Sequence, residues 1–281
     1  MIEQLDHYKI LERIGAGSLG EVYRGRDTRL GRTVAIKLPD TEFQADRERC
    51  EALTRDARAA SVLSHPNIAT LYEISDEGGR LFLVFEFVPG EPLKRLIAGR
   101  PLNVRRAVDL ATQLADALAD AHALEMTHGG LTSDTIVVTP KGNAKILDFG
   151  LAKWTSRPPR GDIDRQTDIR ALGAVLVEML TGKPPLPGGT SLGTSLGSSV
   201  PPELNDVVTR ALDSRGESGY EAAATCAAEL RSVAAMLDVR AAASEPVRVV
   251  QIRRERPSTR VWVVVGVFVV LAALAAIWRL L

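Results

Sequence analysis

His128-Gly129-Gly130-Leu131-Thr132-Ser133-Asp134-Thr135 runs into an apolar strand-like segment, Ile136-Val137-Val138. A Pro140-Lys141-Gly142-Asn143 turn follows, and then Lys145-Ile146-Leu147-Asp148-Phe149-Gly150. The first loop is built of glycines and hydroxyl side chains and carries a single acid, Asp134. The second segment ends on another acid, Asp148, beside Phe149 and Gly150. Ala121-His122 precedes the loop at the end of a long amphipathic pattern, Val104 to Leu124, whose apolar face needs a partner.

Upstream, Tyr8 to Ile14 alternates as a strand does and runs into Gly15-Ala16-Gly17-Ser18-Leu19-Gly20, after which Glu21 to Arg26 alternates again. This is a hairpin around a glycine turn. A dinucleotide-binding fingerprint shares the glycine spacing but opens a helix, whereas strand formers and two more breakers, Gly25 and Gly31, follow Gly20. Val34-Ala35-Ile36-Lys37 is the next strand. Glycines let backbone pass close over phosphate oxygens, and a lysine supplies the opposite charge, so hairpin and lysine together suit a phosphate ligand. Asp46 to Leu63 reads as a helix ending at Ser64-His65-Pro66-Asn67-Ile68. Leu71–Ile74 and Leu81–Val88 read as strands about an Asp76-Glu77-Gly78-Gly79 turn.

In this order the segments resemble the bacterial Hanks-type serine/threonine protein kinases, over about Tyr8 to Leu237, with a degenerate catalytic loop. The resemblance implies an α+β bilobal fold, with a β-rich N-lobe of about 8–88 carrying one helix and a larger helical C-lobe of about 89–237. It implies a nucleotide site made of Gly15, Gly17, Gly20, Val22, Ala35, Lys37, Glu86, Val88 and Val137, with Phe85 as gatekeeper and Asp148 as the magnesium ligand. ATP and magnesium are the cofactors so implied. Asp56, in Arg55-Asp56-Ala57, stands where the family's helix carries a glutamate that pairs with the strand lysine. Being one methylene shorter, it is either that partner of Lys37 or a surface carboxylate.

The chain departs from the family's His-Arg-Asp-x-Lys-x-x-x-Asn pattern at the chemistry. His128 is kept, while Gly129, Gly130, Thr132 and Thr135 replace the arginine, the catalytic aspartate, the lysine and the asparagine. No Ala-Pro-Glu motif lies between Gly150 and the helix that begins near Thr167-Asp168, so the peptide-docking segment is largely missing. Its downstream arginine partner is missing too, with Gly219 in its place. A positioned general base is worth ~10²–10⁴ in rate. The expectation is therefore a pseudokinase, a module that holds ATP and meets a cytoplasmic protein partner without efficient transfer. The alternatives are a divergent kinase or nucleotide transferase that uses Asp134 or Asp148 as a displaced base, and a scaffold that binds no nucleotide.

Lys plus Arg and Asp plus Glu are both 35, so no net field favours nucleic acid. Cys50 and Cys226 have neither metal-ligand nor disulfide-framework spacing. Residues 184–202 are low in complexity, and helical patterns follow near Pro202–Asp213 and Tyr220–Leu237. Residues 238–260 read as a basic juxtamembrane linker with Arg253, Arg254, Arg256 and Arg260. Val261 to Trp278 is an uncharged run that, at ~1.5 Å per residue, reaches roughly 27 Å and is expected to cross a membrane as a helix in contact with lipid. With no signal peptide at the N-terminus and arginines ahead of the span, the expected topology is single-pass, the N-terminal domain cytoplasmic and a short C-terminus across the membrane.

Overall fold

The computed structural model describes residues 3–17, 19–154, 163–185, 196, 200–213, 219–244 and the single positions 268, 271 and 272. It divides into two units, Met1–Arg240 and Ala241–Leu281. The first carries the bilobal kinase-like fold that the sequence implies.

Its N-lobe is a six-stranded antiparallel sheet. The strands are β1 (Gln4–Leu5), β2 (Tyr8–Gly17), β3 (Gly20–Asp27), β4 (Thr33–Pro39), β5 (Leu71–Glu77) and β6 (Arg80–Glu86), in the order β1-β2-β3-β4-β6-β5. Alternation along β4 and β6 divides the sheet into two apolar faces. Val34, Ile36 and Leu38 pack with Phe82 and Val84 on one side. Ala35, Leu83 and Phe85 pack on the other, against Leu53 and Ala57. These last two lie on α2 (Arg47–Ala60), which follows a short α1 (Thr41–Ala45). Asp46 starts α2 as its cap, its carboxylate accepting from the Arg49 N–H.

The C-lobe opens with β7 (Glu91–Pro92) and α3 (Leu93–Ile97), then α4 (Val104–Ala123), which Asn103 caps. On α4, Ala107, Leu110, Ala111, Leu114, Leu118 and Ala121 recur at helical spacing and are buried. They meet α5 (Arg165–Thr181), α6 (Pro202–Leu212) and α7 (Ala223–Ser244) in one core. Between α4 and α5 the chain forms β8 (Ile136–Val138), which pairs with β7, and β9 (Ala144–Ile146), which pairs with β8, and then a 3₁₀ turn, Ala152–Trp154. α5 begins with a capping box of Asp164 and Thr167. Glu229 of α7 accepts from Arg210 of α6 and from the Tyr220 hydroxyl, each at 2.5 Å, and ties the two helices together.

One part of the expected fold is corrected. Among the described residues no helix is long and apolar enough to cross a membrane, so the C-terminal transmembrane helix is not part of the assigned fold. The long helix nearest that end, α7, carries Glu229, Arg231, Asp238 and Arg240, charges that a span does not tolerate. It also runs through residues 238–244, which the sequence reading gave to a linker. The stretch 261–278, apart from Phe268, Leu271 and Ala272, lies outside the described residues, as do 245–260 with their four arginines and most of the low-complexity loop.

Candidate functional site

The cleft between the lobes is roofed by the β2–β3 hairpin, where Gly17 pairs with Gly20. Gly20 has φ +149°, and a Cβ there would run into the Leu38 carbonyl oxygen, so no other residue fits the closing turn. A Cβ at Gly17 would lie 3.1 Å from Val22 and 3.8 Å from the Lys37 Nζ, so the bare backbone keeps space beside the ammonium. Around Gly15 nothing lies within 4 Å, and the close-approach argument does not extend to it. Val22 is paired across the sheet with Lys37, and Ala35 with Phe85. Directly opposed residues share a face, as do positions two apart, so Val22, Ala35, Lys37 and Phe85 point the same way.

At the back edge, Glu86 ends β6. Its carboxylate takes the Lys145 ammonium at 2.7 Å and the Thr70 N–H at 3.3 Å, while its own N–H donates to the Thr70 carbonyl at 2.8 Å. Lys145 also reaches the Ile68 carbonyl at 3.3 Å. The Glu86–Val88 segment, the hinge between the lobes, is thereby pinned to β9, with Val88 half-buried. Val137 is buried on β8 directly opposite Lys145, and the two share a face of the small sheet.

The cleft's polar centre is an ion pair. The Lys37 ammonium donates to the Asp148 carboxylate, both side chains being nearly buried. Asp148 has φ +61°, a left-handed conformation that aspartate tolerates better than most residues, stabilised by the Leu151 N–H bonding its carbonyl at 3.1 Å. The Lys37–Asp56 pair offered by the sequence is not formed. Asp56 accepts from the Trp154 indole N–H at 2.6 Å and from the Lys153 ammonium at 2.7 Å. The 3₁₀ turn brings Trp154 edge-on to Phe43 with 6.3 Å between ring centroids and sets its N–H on Asp56 of α2, while Lys37 pairs with Asp148.

The floor is the His128–Thr135 loop, and one buried residue organises it. Asp168, fully enclosed on α5, accepts from the backbone N–H groups of His128 and Gly129 at 2.8 Å each and meets the His122 Nε2 at 2.9 Å. His128 Nε2 lies 2.9 Å from the Leu147 carbonyl, which only accepts, and its Nδ1 takes the Gly130 N–H at 3.1 Å. Those roles assign the neutral Nε2–H tautomer, with the ring edge-on to Phe149. Where the loop would carry its chemistry it is closed. A Cβ on Gly129 would lie 2.7 Å from Ile163, and one on Gly130 would lie 2.9 Å from the Ala152 methyl. Thr135 Oγ1 donates to the Thr132 carbonyl and accepts from the Thr132 N–H, both at 3.0 Å, a closed local turn. Asp134, mostly exposed, is paired with Lys94 at 2.7 Å.

The donor set suits a nucleotide in kind: apolar walls at Val22, Ala35 and Val137, a hinge held in place, glycines, and an ammonium. A magnesium ion is served less well. Asp148 is a single carboxylate already engaged by Lys37, and no cluster of three metal-ligating side chains exists among the described residues. Sequence reading missed three residues that shape the site: Asp168, Trp154 and Lys145. Asp168 had a signal, an acid facing the apolar stripe of a central helix.

The Protein kinase domain family model matches residues 8–163. Serine/threonine-protein kinase PrkC of Bacillus subtilis is 30% identical over 259 residues, 80% of this chain and 40% of PrkC. Serine/threonine-protein kinase PknA of Mycobacterium tuberculosis is 33% identical over 216 residues, 67% of this chain and 50% of PknA. The chain thus spans 40–50% of the length of these curated relatives. The crystal structure of the Mycobacterium tuberculosis PknI kinase domain superposes with a TM-score of 0.69 at 24% identity, over 82% of this chain and 96% of that one, a likeness of fold.

Proposed function

Because the chain belongs to the protein kinase domain family, with bacterial serine/threonine-protein kinases among its relatives, we propose that it is a phosphotransfer-deficient member that binds ATP and presents the result to a protein partner. The observation that carries this reading is the contact of Ala152 with Gly130, 2.9 Å from where a side chain would begin. The position for a general base is both empty of a side chain and filled by a neighbour. Asp134, the nearest substitute in the loop, is paired with Lys94 at the surface, which weakens the case for it as a displaced base; Asp148, the other acid weighed for that role, is paired with Lys37. Val22, Ala35 and Val137 would enclose the adenine ring, the backbone around Glu86 and Val88 would meet its edge, and Gly15, Gly17, Gly20 and Lys37 would receive the phosphates. ATP supplies the phosphates that draw the roof down, and a partner that distinguishes closed from open lobes would read that change.

The test is thermal unfolding of the full chain with and without ATP, in wild type and Lys37→Ala, beside radiolabelled phosphate incorporation. Stabilisation of about 2.7 kcal/mol is expected at nucleotide near 100 times the dissociation constant. It should be lost in Lys37→Ala, and no label should enter protein. Absence of any shift would favour a scaffold that takes no nucleotide, and Lys37-dependent labelling would make the chain an enzyme.

A further inference from the structure

We propose that nucleotide enters this cleft without a bound divalent metal, Lys37 being the counter-charge for its phosphates. The inference rests on the nucleotide-binding reading above and concerns what accompanies the ligand. Magnesium demands near-octahedral oxygen ligands, sheds water reluctantly, and is ordinarily held by one or two carboxylates together with the phosphates. The three side chains that the loop and cleft offer for it, Asp148, Thr135 and Asp134, are each engaged already. Asp148 is bonded to the Lys37 ammonium. Thr135 has turned both its proton and a lone pair onto Thr132, at 3.0 Å each. Asp134 is with Lys94 on the exposed side of the loop.

The position of Asp56 decides the matter. A lysine with a second acid to go to would release Asp148 for a metal. Asp56 is the acid on α2 that the family resemblance offers for that purpose, and it is held by Trp154 at 2.6 Å and Lys153 at 2.7 Å. A dication at Asp148 would therefore sit against an ammonium with no carboxylate to retreat to, and like charges at contact distance repel strongly where water is scarce. Phosphate oxygens remove that conflict by taking Lys37 themselves. Asp148 then faces the phosphates as a like charge, so in this cleft its carboxylate opposes the ligand.

Two measurements on the full chain test this. Binding of ATP is followed by calorimetry and by thermal unfolding in EDTA and in excess magnesium chloride, with magnesium chloride alone as control. The dissociation constants in the two buffers are expected to agree within about threefold. In EDTA, Asp148→Asn is expected to bind ATP as tightly as wild type or more tightly. Binding seen only with magnesium, or a loss beyond about tenfold in Asp148→Asn in EDTA, would overturn metal independence and leave the nucleotide reading standing. No binding in either buffer would overturn both, so the two failures are told apart.

Discussion

The sheet that carries the cleft's roof and the loop that forms its floor each enclose one buried aspartate, and the comparison separates what holds a ligand from what has been closed off. In the roof, Asp27 ends β3 and gathers the turn before β4, accepting from the Arg29 and Leu30 N–H groups at 3.0 and 2.9 Å and from Arg32 Nε at 3.1 Å. Its bonds are local, within five residues. In the floor, Asp168 reaches about forty residues back to hold His122, His128 and Gly129. The roof keeps glycines, a lysine and a hinge in usable positions. The floor keeps the backbone of a catalytic loop with nothing reactive mounted on it. Scaffold and chemistry are thus separable: the bonds that shape the loop persist although the side chains the loop would display do not.

The largest effect expected is at Asp168. Asp168→Ala would leave two backbone N–H groups and a ring N–H buried without an acceptor, and losses of about 3–5 kcal/mol accompany a broken buried network of this kind. Urea unfolding of the full chain measures it. A loss under about 1 kcal/mol would mean that the floor is not organised from α5 and that the comparison fails. Gly130→Asp comes next. Its side chain must enter where the Ala152 methyl sits, 2.9 Å from the new Cβ, so about 1–3 kcal/mol of overpacking is expected, with no gain of phosphate transfer. A variant as stable as wild type that incorporates label would show that the 3₁₀ turn gives way easily and that the floor is open. Third is Trp154→Phe, which keeps the ring against Phe43 but deletes the N–H on Asp56. About 1.5 kcal/mol should be lost, and the loss should shrink in an Asp56→Ala background, because a double-mutant cycle isolates the shared bond. Additive losses would mean that this pair does not hold the 3₁₀ turn to α2.

Much of this was legible in the chain. Alternation about Gly15–Gly20 and along Val34–Lys37 gave the roof strands, and the helical spacing on α4 gave the C-lobe's axis to within a residue of its observed end. The loss of loop side chains was visible at Gly130, Thr132 and Thr135 without coordinates. What could not be read was which partner each charge takes. Lys37 had two acids in prospect, and the choice of Asp148 over Asp56 depends on Trp154, which lies 98 residues from Asp56 and whose place is set by packing on Phe43. Likewise Asp134 is near the chemistry in sequence, yet its partner is the exposed Lys94 of α3. Local patterns report periodicity well, and they carry no information on competition between distant partners.

The smallest effect expected is at Asp27, and pH separates it from the others. Burial pushes its carboxyl upward, but the Leu30 N–H, Arg32 and the Arg29 N–H act the other way and leave it below the ordinary carboxylate value. A carboxyl depressed by folding adds stability that is fully present above its unfolded value, about 3.9, and is lost as pH falls through the folded value. Asp27→Asn keeps one oxygen acceptor and the shape of the turn but cannot ionise, so near neutrality it should cost about 1 kcal/mol. Below about pH 4 the gap between variant and wild type should close, because the wild-type carboxyl is then taking up a proton as well. Urea midpoints for both proteins, taken from about pH 7 down to about pH 3, supply the comparison. A gap that stays constant down to the acid end would mean that Asp27 contributes by shape alone. In that case the roof turn would owe its stability to backbone geometry, and the likeness between the two aspartates would reduce to their burial.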